Sequence, residues 1–237
     1  MILVAAATPW EARPLAAALR LSAAPGGAGL YSGVVAGRRI VLAEVGVGPE
    51  RAAESLGRID ARDARLALSA GFAGALAPGL RPGDIVADMR GAPAGWGEQA
   101  RRIASRMGAA LRLGAVVSAD HVCTPEEKRA LGAAQGPLAD DGPLAIDMET
   151  ETVRQWARAR GAAFVSARVV LDAADERVPA AAPESAAPAA LARYVLRNYR
   201  DAAVLARLAV RRGPAMRRLC SFLNTWISEV RPDGNDA

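Results

Sequence analysis

With 237 residues, 51% of them apolar, the chain is long enough to bury one large core, and residues 1–230 are expected to form a single α/β domain with 231–237 as a disordered tail. The net charge of +5 rests on arginine, since Lys128 is the only lysine; aromatics are 4% and do not interleave with basic residues, which argues against a nucleic-acid partner. The start lacks a basic n-region and the longest uncharged run, Leu66 to Leu80, is broken by glycine and proline, so neither a signal peptide nor a membrane span is expected. Cys123 and Cys220 form no disulfide framework, and a reducing cytoplasm fits.

Ile2 to Ala7 is a short apolar run that predicts a buried first strand. Thr8-Pro9 then caps a helix reaching about Leu19. Two β-like runs, Leu30 to Val35 and Arg39 to Val45, read as a hairpin through Ala36-Gly37-Arg38, and Gly46-Val47-Gly48-Pro49 opens a helix from about Glu50 to Ile59. Those glycines are not a dinucleotide fingerprint, because Arg51 stands where its third glycine belongs. They fit either a small ligand brought close to the backbone or a tight turn. Leu66 to Ser69 predicts a further strand that runs into small residues from Ala70 to Ala75, and Gly83-Asp84 restarts a strand to about Ala87. A helix over Glu98 to Met107 and a strand over Arg112 to Ala119 precede Thr124-Pro125-Glu126-Glu127, a capped helix start.

Leu144 to Met148 predicts a strand whose carboxylates open at its C-terminal end, followed by a helix from about Glu151 to Arg160. Ala162 to Leu171 is the last strand and ends in Asp172. Val178 to Pro188 reads as a mobile connection, and from about Ala189 two amphipathic helices are expected, broken at Gly213-Pro214. Arg211, Arg212, Arg217 and Arg218 line their junction; packing of these helices on the sheet is favoured over peripheral membrane contact.

Glu11, Glu149 and Asp172 each follow a predicted parallel-type strand, so a doubly wound sheet would bring them to one rim. No Ser, Cys or Lys has a recognisable base beside it, and no phosphate loop with Lys-Ser or Lys-Thr is present. Acid/base chemistry by carboxylates remains, provided burial separates their pKa values. His121 is the only histidine and carries no second His or Cys at a recognised ligand spacing, so neither a metal nor a cofactor is expected.

Ala5-Ala6-Ala7 with Glu11, Gly46-Val47-Gly48, Ser69 to Leu76, Pro82 to Val86, Asp147-Met148-Glu149 and Arg168 to Asp175 occur in an order that resembles the purine nucleoside phosphorylase and nucleosidase superfamily, most closely its methylthioadenosine/S-adenosylhomocysteine nucleosidase branch. The resemblance implies a three-layer α/β/α sandwich with C-terminal helices, usually dimeric or larger, acting on a small nucleoside without a cofactor. It implies that Asp172 protonates N7 of the purine, that Glu149 binds the ribose hydroxyls with Met148 against the sugar, and that Glu11 activates water. Phe72, Ala73 and Gly74 would line the pocket, Val122 and Cys123 would meet the purine edge, and Arg168 would stand beside the site.

Two departures bear on activity. Leu171 precedes Asp172 where the family usually has serine, and the Gly-Asp-Pro-x-Arg phosphate motif of the hexameric phosphorylases is missing. The leading expectation is hydrolysis of a 5'-substituted adenosine to release adenine. The alternatives are phosphorolysis, in which Arg13, Arg51 or Arg90 would hold phosphate, and a nucleoside-binding protein without turnover. A further one is adenine removal from a lipid-linked adenosyl compound, as in a hopanoid-associated branch that Glu11-Ala12-Arg13 and the basic C-terminal helices resemble.

Overall fold

The computed structural model describes residues 1–25, 27–61, 63–133, 143–179 and 198–230. The expected tail over 231–237, the connection beyond Pro179 and the helix start near Ala189 lie outside them. The strands are β1 (Ile2–Ala6), β2 (Ser22–Ala23), β3 (Leu30–Val35), β4 (Arg38–Glu44), β5 (Leu66–Ala75), β6 (Ile85–Asp88), β7 (Leu111–Leu113), β8 (Ala115–Ser118), β9 (Pro143–Asp147) and β10 (Ala163–Asp172). The helices are α1 (Pro9–Ala18), α2 (Pro49–Gly57), α3 (Trp96–Arg106), α4 (Pro125–Ala133), α5 (Thr150–Arg158) and α6 (Ala202–Glu229).

The sheet runs β2-β3-β4-β1-β5-β10-β6-β7, with β9 paired to the end of β5 and β8 to β9. Its centre, β4-β1-β5-β10, is parallel, while β3-β4, β10-β6 and β5-β9 are antiparallel, so the sheet is mixed rather than doubly wound and parallel throughout. Strand periodicity explains the layers: Ile2, Val4 and Ala6 join one apolar core, and Leu3 and Ala5 the other. The first core packs against α1, α3 and α6, where Trp96 meets Trp226 edge to face at 5.6 Å. The second packs against α2 and α5 through Ala52, Leu56, Val153 and Trp156. A sandwich of helices on both faces of a mixed sheet is thus the observed architecture.

Three expectations are corrected. The C-terminal helix runs unbroken through Gly213-Pro214. Pro214 forfeits one helical hydrogen bond and crowds the carbonyl four residues back, a local cost that burial of the apolar residues beyond it offsets. Its second half buries Leu219, Phe222, Leu223, Trp226 and Ile227 in the first core. Arg112 to Ala119 is two strands divided at Gly114, and β5 does not stop at Ser69 but continues to Ala75. No described helix is long and apolar enough to cross a membrane.

Candidate active site

The parallel strands β1, β5 and β10 end on the same rim, and a cleft of about 330 Å³ opens there. Glu11, Glu149 and Asp172 all line it, as expected from their places after three strands. Phe72, Ala73, Gly74, Val122, Cys123 and Met148 line it as well. Arg168 does not. It is buried beneath the cleft, where its guanidinium holds Asp147 at 2.5 Å and Ser69 Oγ at 2.6 Å and stands 3.9 Å from Glu149.

Glu11 is fixed by its own helix and by β5. One carboxylate oxygen accepts from the Thr8 N–H and hydroxyl, both at 2.9 Å, which closes the start of α1; the other accepts from the Phe72 N–H at 2.8 Å. Three donors leave room for one more, such as a water. The small residues of β5 explain how the strand can continue past this group: a Cβ at Gly71 would lie 2.1 Å from Glu11 Oε1 and 2.8 Å from Arg168 Nη1. Gly71→Ala is therefore expected to push Glu11 out of position and to cost about 1–3 kcal/mol of stability, measured by urea unfolding, and unchanged stability would contradict this packing.

Glu149 sits at the β9 to α5 corner and accepts the Gly48 N–H at 2.8 Å. Gly48 has φ +91°, so the glycine turn after β4 is a tight strand-to-helix turn whose backbone donor is spent on Glu149 at the cleft. Burial pushes the Glu149 carboxyl up to about 7; Asp147 and Glu11 add to this, while Arg168 and the Gly48 N–H oppose it. Asp147 itself is a brace, bound by Arg168, Ser118 and Thr150.

Asp172 closes β10. Its pairing with β5 shifts register between Val170 and Asp172, opposite Gly74, and this bulge leaves both Leu171 and Asp172 on the cleft wall. A Cβ at Gly74 would lie 2.9 Å from Asp172 Oδ2, so this glycine too makes room for an acid. Burial raises the Asp172 carboxyl above its usual range, against the pull of its partner Lys128. Lys128 was not among the residues expected here. It is buried on α4, lines the cleft and pairs with Asp172 Oδ2. Its sequence signal is its solitude, one lysine among 30 basic residues.

The cleft rim also gathers His121 with two neighbours. His121 Nε2, Cys123 Sγ and the Glu127 carboxylate come within 4.8 Å of one another, a grouping of metal-ligand types that the spacing did not suggest. The ring is hydrogen-bonded to Asp120 at 2.7 Å and Glu127 at 3.2 Å, and these two carboxylates raise the imidazole pKa above its usual value.

The sequence profile of the Phosphorylase superfamily matches residues 1–87 and 88–199. The chain belongs to this superfamily. A comparison with curated protein sequences finds no match. Among solved structures, this superfamily member is similar to a mutant methylthioadenosine nucleosidase of Helicobacter pylori with 5'-methylthioadenosine in its active site, with TM-score 0.69 and 18% identity over 97% of this chain and 98% of that one. It is similar to the 5'-methylthioadenosine/S-adenosylhomocysteine nucleosidase of Neisseria meningitidis, bound to methylthio-immucillin-A, with TM-score 0.69 and 21% identity over 97% and 99%. Futalosine hydrolase of Helicobacter pylori gives TM-score 0.68 and 17% identity over 97% of each chain. At these identities the likeness is one of fold.

Proposed function

We propose that the protein hydrolyses the N-glycosidic bond of a 5'-substituted adenosine and releases adenine. The observation that carries this reading is Asp172, a carboxyl buried at the cleft beside Glu11 and Glu149, whose burial shifts its pKa upward, the direction a general acid requires. Asp172 gives its proton to N7 of the purine as the bond from the ribose C1' to N9 breaks, so the base leaves neutral. The sugar carries oxocarbenium character, water attacks C1', and Glu11 takes the water's proton. Glu149 binds the ribose hydroxyls, Met148 packs on the sugar, and Phe72, Ala73, Gly74, Val122 and Cys123 enclose the base and sugar. Arg168 acts from below, by orienting Asp147 and Glu149.

Water is favoured over phosphate as nucleophile by the lining of the cleft. Among the described residues no arginine reaches it; Lys128 is already paired with Asp172, and His121 is held between Asp120 and Glu127. The similar folds include one holding 5'-methylthioadenosine, which makes that compound the first assay substrate. Adenine release is expected at the same rate with and without phosphate. Release that requires phosphate would make the protein a phosphorylase instead, and no release from any adenosine would leave nucleoside binding without turnover.

A further inference from the structure

Lys128 is 2% exposed, and its ammonium spends all three N–H donors: on Asp172 Oδ2, on the Ala173 carbonyl at 3.1 Å and on the Glu176 carbonyl at 3.0 Å. The first turn of α4 presents it, through a capping pair in which the Thr124 N–H donates to Glu127 at 2.7 Å and the Glu127 N–H to Thr124 Oγ1 at 3.3 Å. A Cβ at Gly74 would lie 3.4 Å from Lys128 Cε as well as against Asp172, so one glycine of β5 makes room for both members of the pair. Buried ion pairs seldom add net stability, because desolvation offsets their attraction. The chain's single lysine stands here, where its compact ammonium meets an acceptor with each of its three donors.

We propose that Lys128 is a positioning residue for the reaction, fixing the Asp172 carboxyl and making it the stronger acid. This rests on the hydrolytic reading above. When Asp172 passes its proton to the purine, the carboxylate left behind faces an ammonium that stays protonated, so the charge formed is matched where it forms. Leu171, the residue before Asp172, offers no hydroxyl for that task. The other charged groups facing Asp172 are Glu176 on the loop after β10 and Arg211 on α6; Glu176 is itself paired with Arg211 at 2.6 Å and Arg207 at 3.6 Å, which leaves Lys128 as the direct partner.

The test uses Lys128→Gln, which deletes the charge and keeps an N–H donor, in pH profiles of kcat/KM for adenine release. Activity that needs protonated Asp172 falls on the alkaline side of its pKa; without the ammonium that limb is expected to move up by about 1–3 pH units, with a lower kcat. A lower kcat with an unmoved limb would reduce Lys128 to a structural residue and overturn the proposal. A second measurement needs no turnover and leaves Lys128 in place. With lysine labelled by nitrogen-15, the unaltered protein has one side-chain ammonium signal, which is expected to titrate together with Asp172 and to lose that step in Asp172→Asn. A signal that ignores Asp172 would also overturn the proposal. If the wild type releases no adenine, the hydrolytic reading fails while the ammonium titration still decides the coupling.

Discussion

Asp172→Asn is expected to slow adenine release from 5'-methylthioadenosine by about 10²–10⁴-fold, the contribution typical of one positioned proton donor. The substitution is nearly isosteric and keeps an oxygen for the Lys128 ammonium, which also retains the Ala173 and Glu176 carbonyls. Folding should therefore survive, and the dissociation constant for a purine nucleoside should change only a few-fold, since the side chain acts on the leaving base rather than on the ground state. The informative pattern is a lost kcat with retained binding. Turnover within about tenfold of the wild type would remove Asp172 from the chemistry and return it to the role of a strand-end partner for Lys128.

Glu149→Gln should give the opposite pairing, a more stable protein that binds its sugar poorly. The folded-state pKa of Glu149, about 7, lies above the ordinary carboxyl value of 4.5, so the folded chain holds a proton that the unfolded chain has released. Stability therefore declines as pH rises from about 4.5 to about 7 and levels off above, by about 3 kcal/mol in all. Glutamine cannot ionise and still accepts the Gly48 N–H. Urea unfolding should show the variant gaining up to about 3 kcal/mol over the wild type at pH 8 and little at pH 4.5. Loss of a charged acceptor for the ribose hydroxyls should weaken kcat/KM by about 10–100-fold. Equal pH slopes in the two proteins would mean that Glu149 is better solvated than its burial implies.

Much of this was legible in the order of residues. Apolar runs located β1, β9 and β10, the last two running into acids, and Thr8-Pro9 and Thr124-Pro125 marked two helix starts, because local signals such as a cap or an apolar run act within a few residues. The three acids were legible as candidates because each stands at or within a few residues of a strand's end. β1 and β10 run parallel to β5, but β9, which precedes Glu149, pairs antiparallel with the end of β5, so its place on the rim came from the fold and not from the expected parallel pattern. Where the reading went wrong, distant neighbours were decisive. β5 looked finished at Ser69 because glycine weakens a strand on its own, yet Gly71 and Gly74 are needed where Glu11 and Asp172 approach. Gly213-Pro214 looked like a helix stop, yet the apolar residues beyond it share one core with those of α1 and α3.

By itself, then, the sequence determined the alternation of strands and helices, one large core and the three acids that follow strands, since these follow from periodicity and composition over short spans. Only the tertiary structure decided what those acids are. It buried Glu149 beneath Gly48, about a hundred residues away, tied Glu11 to the Phe72 N–H, and set Lys128 against Asp172. A carboxyl's charge and proton affinity depend on what surrounds it in space, and those surroundings come from four different strand ends and a helix that no local pattern connects.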